Sequence, residues 1–314
     1  MEEGLVVRST GSWYDIKTKD GKVYQGRLRG IFRKYNLKVT NPIAVGDRVL
    51  FLKDADKGEN SVVIKDILDR TNYFIRKSTR KTAHAHVLAA NIDQAIVLVT
   101  LKRPRTSRGF IDRFLISTDA FRIPTIIVFN KSDLHNDEDN EYLTELKEIY
   151  EPIGVKCLVT SALEEKGIDE FRDALLGKKS LLAGHSGAGK STLVNHTIPG
   201  LSISTSEISD FSNKGKHTTT FAEMFEVDDE TSIIDSPGIK EIGLWGMTKE
   251  EISHFFPEMR RYINDCQFNN CTHVHEPKCA VLKALEEGYI HPWRYDSYLS
   301  ILDDEDFKYS PKSK

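Results

Sequence analysis

One glycine-rich segment has the residue types and the spacing of a phosphate-binding loop. It runs Gly184-His185-Ser186-Gly187-Ala188-Gly189-Lys190-Ser191-Thr192, after an apolar stretch and before a helical pattern, which is the context such loops require. Glycines let backbone N–H groups curl around phosphates, and the N-terminus of a helix adds a positive dipole end. The pattern predicts that Lys190 neutralises the β- and γ-phosphates and that Ser191 offers its hydroxyl to Mg²⁺.

A second segment with the chemistry of a triphosphatase is Asp235-Ser236-Pro237-Gly238, which follows the apolar run Ser232–Ile234. A carboxylate at the end of such a strand is suited to holding Mg²⁺, through water, so we assign that role to Asp235. The Gly238 N–H is then expected to sense the γ-phosphate. The distance along the chain, 45 residues after Lys190, supports both assignments.

Between these two segments lies a polar stretch, Lys214–Thr220, that contains three consecutive threonines. A threonine here is expected to ligate Mg²⁺ while the γ-phosphate is present and to release it after hydrolysis. Thr219 is favoured, with its two threonine neighbours as alternatives. Ile239 follows Gly238, near where a glutamine often positions the attacking water, so His217 or a group from a partner is expected to do so.

The segment Asn130-Lys131-Ser132-Asp133 follows the apolar run Thr125–Phe129 and matches the guanine-binding pattern of GTPases. The Asp133 carboxylate can accept hydrogen bonds from the ring N–H and the exocyclic amine of guanine, whereas adenine would leave it unpaired. Asn130 is expected to tie this loop to the phosphate loop, and the stem of Lys131 to lie along the purine.

The order of the motifs is unusual. In ordinary GTPases the phosphate loop comes first, but here Asn130 precedes Gly184. The same sheet can form if the chain is cut at a different surface loop, which is a circular permutation. Ser161-Ala162, just after the apolar run Val155–Thr160, is expected to offer a backbone N–H to the guanine carbonyl.

A separate cluster near the C-terminus has the spacing of a metal site. Cys266, Cys271, His273 and Cys279 supply three thiolates and one imidazole within 14 residues, enough to fill the tetrahedral ligand shell of one Zn²⁺. A filled shell leaves no position for substrate, so the zinc is predicted to be structural. His275 is a competing ligand.

The elements that position these motifs alternate between strand and helix, which predicts a parallel sheet with helices on both faces. The predicted strands are Ala95–Thr100, Thr125–Phe129, Val155–Thr160, Ser180–Ala183 and Ser232–Ile234, and the predicted helices are Ile111–Phe121, Glu138–Tyr150, Ile168–Leu176 and Lys190–His196. After residue 246 the pattern predicts helices at Glu250–Phe256, Ala280–Glu287 and Tyr295–Leu302.

The first 70 residues have the pattern of a small OB-like β-barrel. The predicted strands are Gly4–Val7, Trp13–Ile16, Val23–Arg29, Val49–Lys53 and Ser61–Ile67. Residues 1–82 carry a net charge of +8 and the remainder −11. Aromatic residues are interleaved with basic ones, which favours nucleic-acid binding over a merely solvated basic face. They are Trp13, Tyr14, Tyr24, Phe32, Tyr35, Arg27, Arg29, Arg33, Lys34 and Lys38.

Composition excludes several classes of protein. The 314 residues are 39% hydrophobic and 29% charged, a globular balance, and they contain no apolar run long enough to span a membrane. The acidic N-terminus has no apolar segment of the secretory type, so a cytoplasmic location is expected. Four cysteines in a chain of this length do not make a disulfide scaffold.

These motifs together closely resemble the circularly permuted GTPases of ribosome assembly, and more narrowly the ribosome small-subunit-dependent GTPase A family (RsgA, YjeQ or YloQ). The resemblance implies an OB-like RNA-binding domain at residues 1–70, a permuted GTPase domain at 71–245 and a zinc-binding helical domain at 246–314. It also implies a cytoplasmic enzyme that binds the small subunit late in its maturation and is stimulated by it. We expect a monomer whose partner includes the 16S-type rRNA of that subunit. Two residues depart from the family pattern, Ser132 and Lys278.

Three other functions are open on the sequence alone. A P-loop ATPase or kinase is disfavoured by the guanine-binding pattern, and a catalytic zinc hydrolase by the four-ligand shell. A GTP-binding RNA-interaction module with little turnover stays possible because Ile239 is apolar.

Overall fold

The computed structural model describes residues 1–28, 42–54, 58–77, 85–198, 200–201, 222–235, 244 and 247–303. Within this part of the chain, eleven strands form one continuous sheet, which runs from a parallel sheet through one linking strand into an N-terminal barrel. None of the helices described there is both long and apolar enough to cross a membrane.

The N-terminal strands curl into a barrel. They are β1 (Glu2–Ser9), β2 (Tyr14–Lys17), β3 (Val23–Leu28), β4 (Arg48–Lys53) and β5 (Ser61–Ile67). Antiparallel pairing of β1 with β4 closes the barrel, and β3 pairs with β5 in parallel. Inward-facing side chains such as Val6, Ile16 and Phe51 are fully buried and form its core. The OB-like prediction is confirmed.

A parallel sheet follows the barrel along the chain. Its strands are β8 (Gln94–Val99), β9 (Thr125–Asn130), β10 (Lys156–Thr160), β11 (Lys179–Gly184) and β13 (Ser232–Asp235). All six residues of β8 are buried, because each face of this strand is covered by a different core cluster. Strands with both faces covered have continuous apolar runs, which is why sequence located these five.

Helices cover the two faces of this sheet in pairs. They are α1 (Arg108–Asp119), α2 (Asp137–Tyr150), α3 (Ile168–Leu175) and α4 (Lys190–Thr197). Phe114 of α1 and Leu146 of α2 belong to one core cluster, while Phe171 of α3 and Leu193 of α4 belong to the other. The prediction of helices on both faces is confirmed.

Two features join the barrel to the parallel sheet, and sequence missed both. The edge strand β12 (Ala222–Glu226) pairs antiparallel with β13 on one side and with β1 of the barrel on the other. A separate hairpin, β6 (Tyr73–Lys77) and β7 (Ala85–Ala90), touches the barrel through a bridge between Val45 and Ala89.

The C-terminal part is made of short helices. They are α5 (Pro257–Arg260), α6 (Ala280–Glu286) and α7 (Pro292–Leu302), with 3₁₀ turns at Ile252–Phe255 and Ile263–Asp265. The predicted α-helix Glu250–Phe256 is wrong. A carboxylate oxygen of Glu251 accepts from the Thr248 N–H at 2.8 Å, as at the start of a helix. Pro257, however, disfavours a helical conformation in the residue before it, and Phe256 is extended.

Candidate nucleotide site and metal centre

The predicted phosphate loop connects β11 to α4. Gly189 caps α4 with φ +92°, and a Cβ there would lie 2.6 Å from Nδ2 of Asn130. Gly184 ends β11, where a Cβ would lie 2.8 Å from the Leu98 carbonyl oxygen. Both positions therefore require glycine. The loop passes close to the neighbouring strands and ends at the N-terminus of α4, where the first helical N–H groups have no partner within the helix.

Lys190 is folded into this loop. Its side chain is buried, and Nζ donates to the carbonyl oxygens of Gly184 at 2.8 Å and His185 at 3.2 Å. Burial lowers the pKa of Lys190, and the charge of Asp235 partly opposes that change. A cation is thus held at the N-terminus of α4, where anions are already favoured.

The candidate Mg²⁺ ligands come from neighbouring elements. Asp235 ends β13, whose parallel register sets it opposite Leu182 of β11, two residues before the phosphate loop begins. Ser191 is buried in the first turn of α4. A carboxylate and a hydroxyl are oxygen donors of the kind Mg²⁺ prefers, so these residues fit the metal.

Four other predicted site features fall outside the described residues. They are the Gly238 N–H, His217, Thr219 with its threonine neighbours, and Ile239.

The Asn130–Asp133 loop is joined to the phosphate loop by two side chains. Asn130, buried at the end of β9, donates to the Ala188 carbonyl at 2.9 Å and accepts from the Thr160 hydroxyl at 2.9 Å. Lys131 donates through Nζ to the Gly187 carbonyl at 2.6 Å. The two loops therefore meet at the carboxyl end of the sheet.

Asp133 and Ser161 also come together. The Ser161 hydroxyl donates to Oδ1 of Asp133 at 2.6 Å and accepts from the Glu164 N–H at 3.1 Å. Ala162 is buried beside Ser161, while Ser132 is half-buried. A carboxylate that accepts one hydroxyl keeps lone pairs for two further donors.

The remaining predicted residues of the phosphate loop are on its outer side. Ser186 and Thr192 are exposed, and the ring of His185 lies 4.2 Å from the ring of Phe110, between centroids.

Sequence reasoning did not single out the loop after β8, residues 100–107. The Arg103 carbonyl accepts from Lys131 Nζ at 2.7 Å, and Pro104 Cδ would lie 3.6 Å from a Cβ at Gly187. The signal available in the sequence was position alone: the loop follows a buried parallel strand, and ligands of such sheets bind at the carboxyl ends of the strands.

The four predicted zinc ligands come together in one cluster. The ligand atoms of Cys266, Cys271, His273 and Cys279 all lie within 4.8 Å of one another. Sγ of Cys266 is 3.9 Å from Sγ of Cys279, and Nδ1 of His273 is 3.3 Å from the latter. Zn–S bonds of about 2.3 Å in a tetrahedron set sulfur atoms about 3.8 Å apart, so the cluster fits zinc. His275 is exposed and lies outside it.

Helix α7 supports the metal cluster from behind. The Tyr295 hydroxyl donates to the His273 carbonyl and the Tyr298 hydroxyl to the Thr272 carbonyl, both at 2.7 Å. Lys278 has φ +58°, so the left-handed turn before Cys279 is kept by a residue other than glycine.

Comparison with known proteins agrees with this geometry. The family model described as RsgA GTPase matches residues 67–245, and the one described as RsgA N-terminal domain matches residues 3–60. The chain belongs to the RsgA GTPase family. It is 52% identical to the small ribosomal subunit biogenesis GTPase RsgA of Cytophaga hutchinsonii over 97% of this chain and 99% of that one. Identity to the protein of the same name from Bacteroides fragilis is 48%, over 97% of each chain.

Two solved structures of RsgA-like proteins are similar throughout. YjeQ from Thermotoga maritima aligns with a TM-score of 0.76 at 33% identity, over 99% of both chains. YloQ, described as a circularly permuted GTPase, aligns with a TM-score of 0.71 at 28% identity, over 100% of this chain and 97% of that one. The permuted order of motifs is therefore a family property, and the chain is a GTP hydrolase.

Proposed function

We propose that this chain hydrolyses GTP to GDP and phosphate during late maturation of the small ribosomal subunit, and that the subunit stimulates the reaction. The name of its relatives supports the biological setting. The observation that carries the chemistry is the pair of contacts between the two loops, Asn130 with Ala188 and Lys131 with Gly187. They bring a guanine-binding loop and a phosphate-binding loop to one nucleotide.

In the proposed site the phosphates lie along the backbone of Gly184–Thr192. Lys190 exchanges its loop carbonyls for the β- and γ-phosphates, whose negative charge reverses the lowering of its pKa. Ser191 and Asp235 would hold Mg²⁺, which would offset the negative charge that develops on the phosphates. Thr219 and the Gly238 N–H respond to the γ-phosphate.

Guanine is recognised by Asp133, whose carboxylate accepts from the ring N–H and the exocyclic amine. The Ser161 hydroxyl holds that carboxylate in place, and the Ala162 N–H completes the contact to the guanine carbonyl. The stem of Lys131, fixed at its end by two carbonyls, lies along the purine.

Water activation is the incomplete part of the site. An apolar Ile239 cannot orient water, so His217 or a group from the subunit does so, and turnover by the protein alone is slow. Slow turnover that the subunit did not stimulate would favour the alternative function, a GTP-binding RNA-interaction module with little turnover of its own.

The remaining domains bind the partner. We propose that the barrel (residues 1–70) and the helical domain (246–314), with one structural Zn²⁺ on Cys266, Cys271, His273 and Cys279, hold 16S-type rRNA on either side of the GTPase domain (71–245). The protein acts as a monomer in the cytoplasm.

The test is GTP turnover by the full chain with and without purified small subunits, compared with Ser191→Ala. We expect slow basal turnover, strong stimulation, and loss of both in the variant, whose circular dichroism stays that of the parent. Undiminished hydrolysis by folded Ser191→Ala would remove the assignment. Absence of stimulation in the parent would favour the binding module, and competition by ATP would favour an ATPase.

A further inference from the structure

A groove lies on the face of the molecule beside the guanine-binding loop, where the GTPase domain meets α7. It has a volume of about 580 Å³, and its walls include Arg105, Arg108, Tyr142, Glu145 and Trp293. Cavities of roughly 300–1,000 Å³ are the size that encloses a small ligand. Nothing in the nucleotide site or the metal centre uses these side chains.

The groove is cationic. Arg105 and Arg108 face one carboxylate, Glu145, yet within the described residues neither guanidinium lies within 4.0 Å of any carboxylate. Four of the seven residues from 102 to 108 are basic, in a part of the chain whose net charge is negative. An anion would therefore find two guanidinium groups that have no ion pair to break.

Aromatic rings form the other wall. The Arg108 guanidinium carbon lies 3.8 Å from the centroid of the Trp293 ring. The centroids of the Tyr142 and Trp293 rings are 6.0 Å apart. The Arg105 guanidinium carbon is 5.9 Å from the Tyr142 ring centroid. Rings and guanidinium planes are the surfaces on which unpaired bases stack, and the two rings here are half-buried rather than sealed in the core.

We propose that this groove binds an unpaired nucleotide of RNA, its phosphate on Arg105 and Arg108 and its base against Trp293 and Tyr142. The inference rests on the proposed function, since it takes the RNA-rich small subunit as the partner. Phosphate and a flat base together match cations interleaved with rings, whereas an acidic peptide would use the cations and leave the rings without a flat partner.

The groove shares a loop with the candidate nucleotide site. Arg105 belongs to the loop at residues 100–107, whose Arg103 carbonyl accepts from Lys131. Ser107 of the same loop caps α1 by accepting from the Phe110 N–H at 3.2 Å. RNA bound here would contact the loop that supports the guanine site. Loss of RNA binding in the groove should therefore also reduce stimulation of GTP turnover.

The experiment measures binding of fluorescein-labelled single-stranded oligouridylate to the full GDP-loaded chain by anisotropy, across a salt series. Arg105→Gln/Arg108→Gln is expected to weaken binding and to lower the slope of log K against log salt by about 0.7, since the one phosphate held by both arginines is no longer neutralised. Trp293→Leu should weaken binding about tenfold, and Trp293→Phe should retain most of it.

A matched control removes two exposed cations near the amino-terminal ends of β9 and β10, Arg122→Gln/Lys156→Gln. Oligouridylate binding by Arg105→Gln/Arg108→Gln no weaker than by this control would overturn the proposal. The proposal would also be overturned if Arg105→Gln/Arg108→Gln bound oligouridylate as the parent does but bound small subunits more weakly, because the groove would then hold a protein. Basal GTP turnover of each variant confirms its fold. Failure of the proposed function is seen separately, as a parent chain that neither hydrolyses GTP nor binds small subunits.

Discussion

At the scale of single residues, the proposed base selection depends on one carboxylate. Asp133 is held by the Ser161 hydroxyl, and among the described residues no other side chain donates to it. Asp133→Asn replaces an acceptor by a donor, so we expect GTP affinity to fall by about 3 kcal/mol, about a hundredfold, for two charge-assisted hydrogen bonds. Xanthosine triphosphate, which has a carbonyl where guanine has its amine, should bind the variant better than GTP does.

The control is Asp137→Asn, which removes an exposed carboxylate from the first turn of α2. Titration calorimetry with GDP, ATP and the xanthosine nucleotide measures both variants. If Asp133→Asn kept the parent's preference for guanine, the base would have to be recognised by other residues.

The sequence alone predicted which residues would meet at this site because loops at the carboxyl ends of parallel strands converge. It did not predict how Lys131 is held, since the Arg103 carbonyl that accepts from it follows a different strand. Backbone acceptors have no residue type, so no pattern of side chains could have indicated this contact.

At the scale of elements, α7 is joined to the GTPase domain by a buried ion cluster. Arg294 donates to Asp112 of α1 at 2.5 Å and to Glu258 of α5 at 2.6 Å, and Tyr150 of α2 donates to Asp112 at 2.9 Å. Arg294→Met leaves two buried carboxylates without a countercharge, so we expect a loss of about 3–5 kcal/mol in the free energy of unfolding.

Urea unfolding measures this loss. Arg260→Met, which breaks the exposed pair with Asp119, should cost under about 1 kcal/mol; equal costs for the two variants would contradict the assignment.

Sequence predicted the elements that are buried on both faces and missed those defined by long-range pairing. Strand β7 contains three alanines, which have low strand propensity, and β12 is a short edge strand between two partners distant in sequence. Sequence did not predict the Arg294 cluster for a similar reason. Glu258 and Arg294 lie 146 or more positions after Asp112, and charged residues in such segments resemble solvated helix faces.

The segment that carries the four predicted zinc ligands is the other element-scale unit. Metal binding and folding are coupled in small zinc domains. We expect one Zn²⁺ per chain by atomic absorption, lost in Cys271→Ser, and faster proteolysis confined to the residues after 246, while GDP binding persists. The control is Cys157→Ser, which removes the cysteine outside the cluster. A zinc-free preparation with unchanged C-terminal proteolysis would contradict the coupling.

At the scale of the whole molecule, the barrel is continuous with the GTPase sheet. Arg8 of β1 pairs with Glu223 of β12, and the Ala90 N–H donates to the Val45 carbonyl at 2.8 Å. Deleting residues 1–70 would therefore expose the edge of β12 as well as remove the RNA-binding candidate. Of the aromatic residues expected to stack on bases, Tyr14 and Tyr24 belong to the barrel core and Trp13 is exposed; Phe32 and Tyr35 lie outside the described residues.

Replacing basic residues of the barrel tests its binding to small subunits without exposing the edge of β12, which deletion of residues 1–70 would do. The basic side chains of the segment between β3 and β4 account for half of the +8 carried by residues 1–82. Glutamine at Arg29, Arg33, Lys34 and Lys38 should weaken binding to small subunits and flatten its dependence on salt, because each phosphate contact releases counterions. Basal GTP turnover should not change, since the nucleotide loops begin only at Asn130.

Stimulated turnover should fall together with binding, because the proposed stimulation requires the subunit to be bound. Filter binding and phosphate release, measured over the same salt series, check both quantities. Glutamine at four exposed cations of the GTPase domain, Arg122, Lys156, Lys166 and Lys178, is the matched control and should leave the salt slope unchanged. An unchanged affinity and slope in the barrel variant would mean that the barrel closes over the nucleotide site rather than approaching RNA.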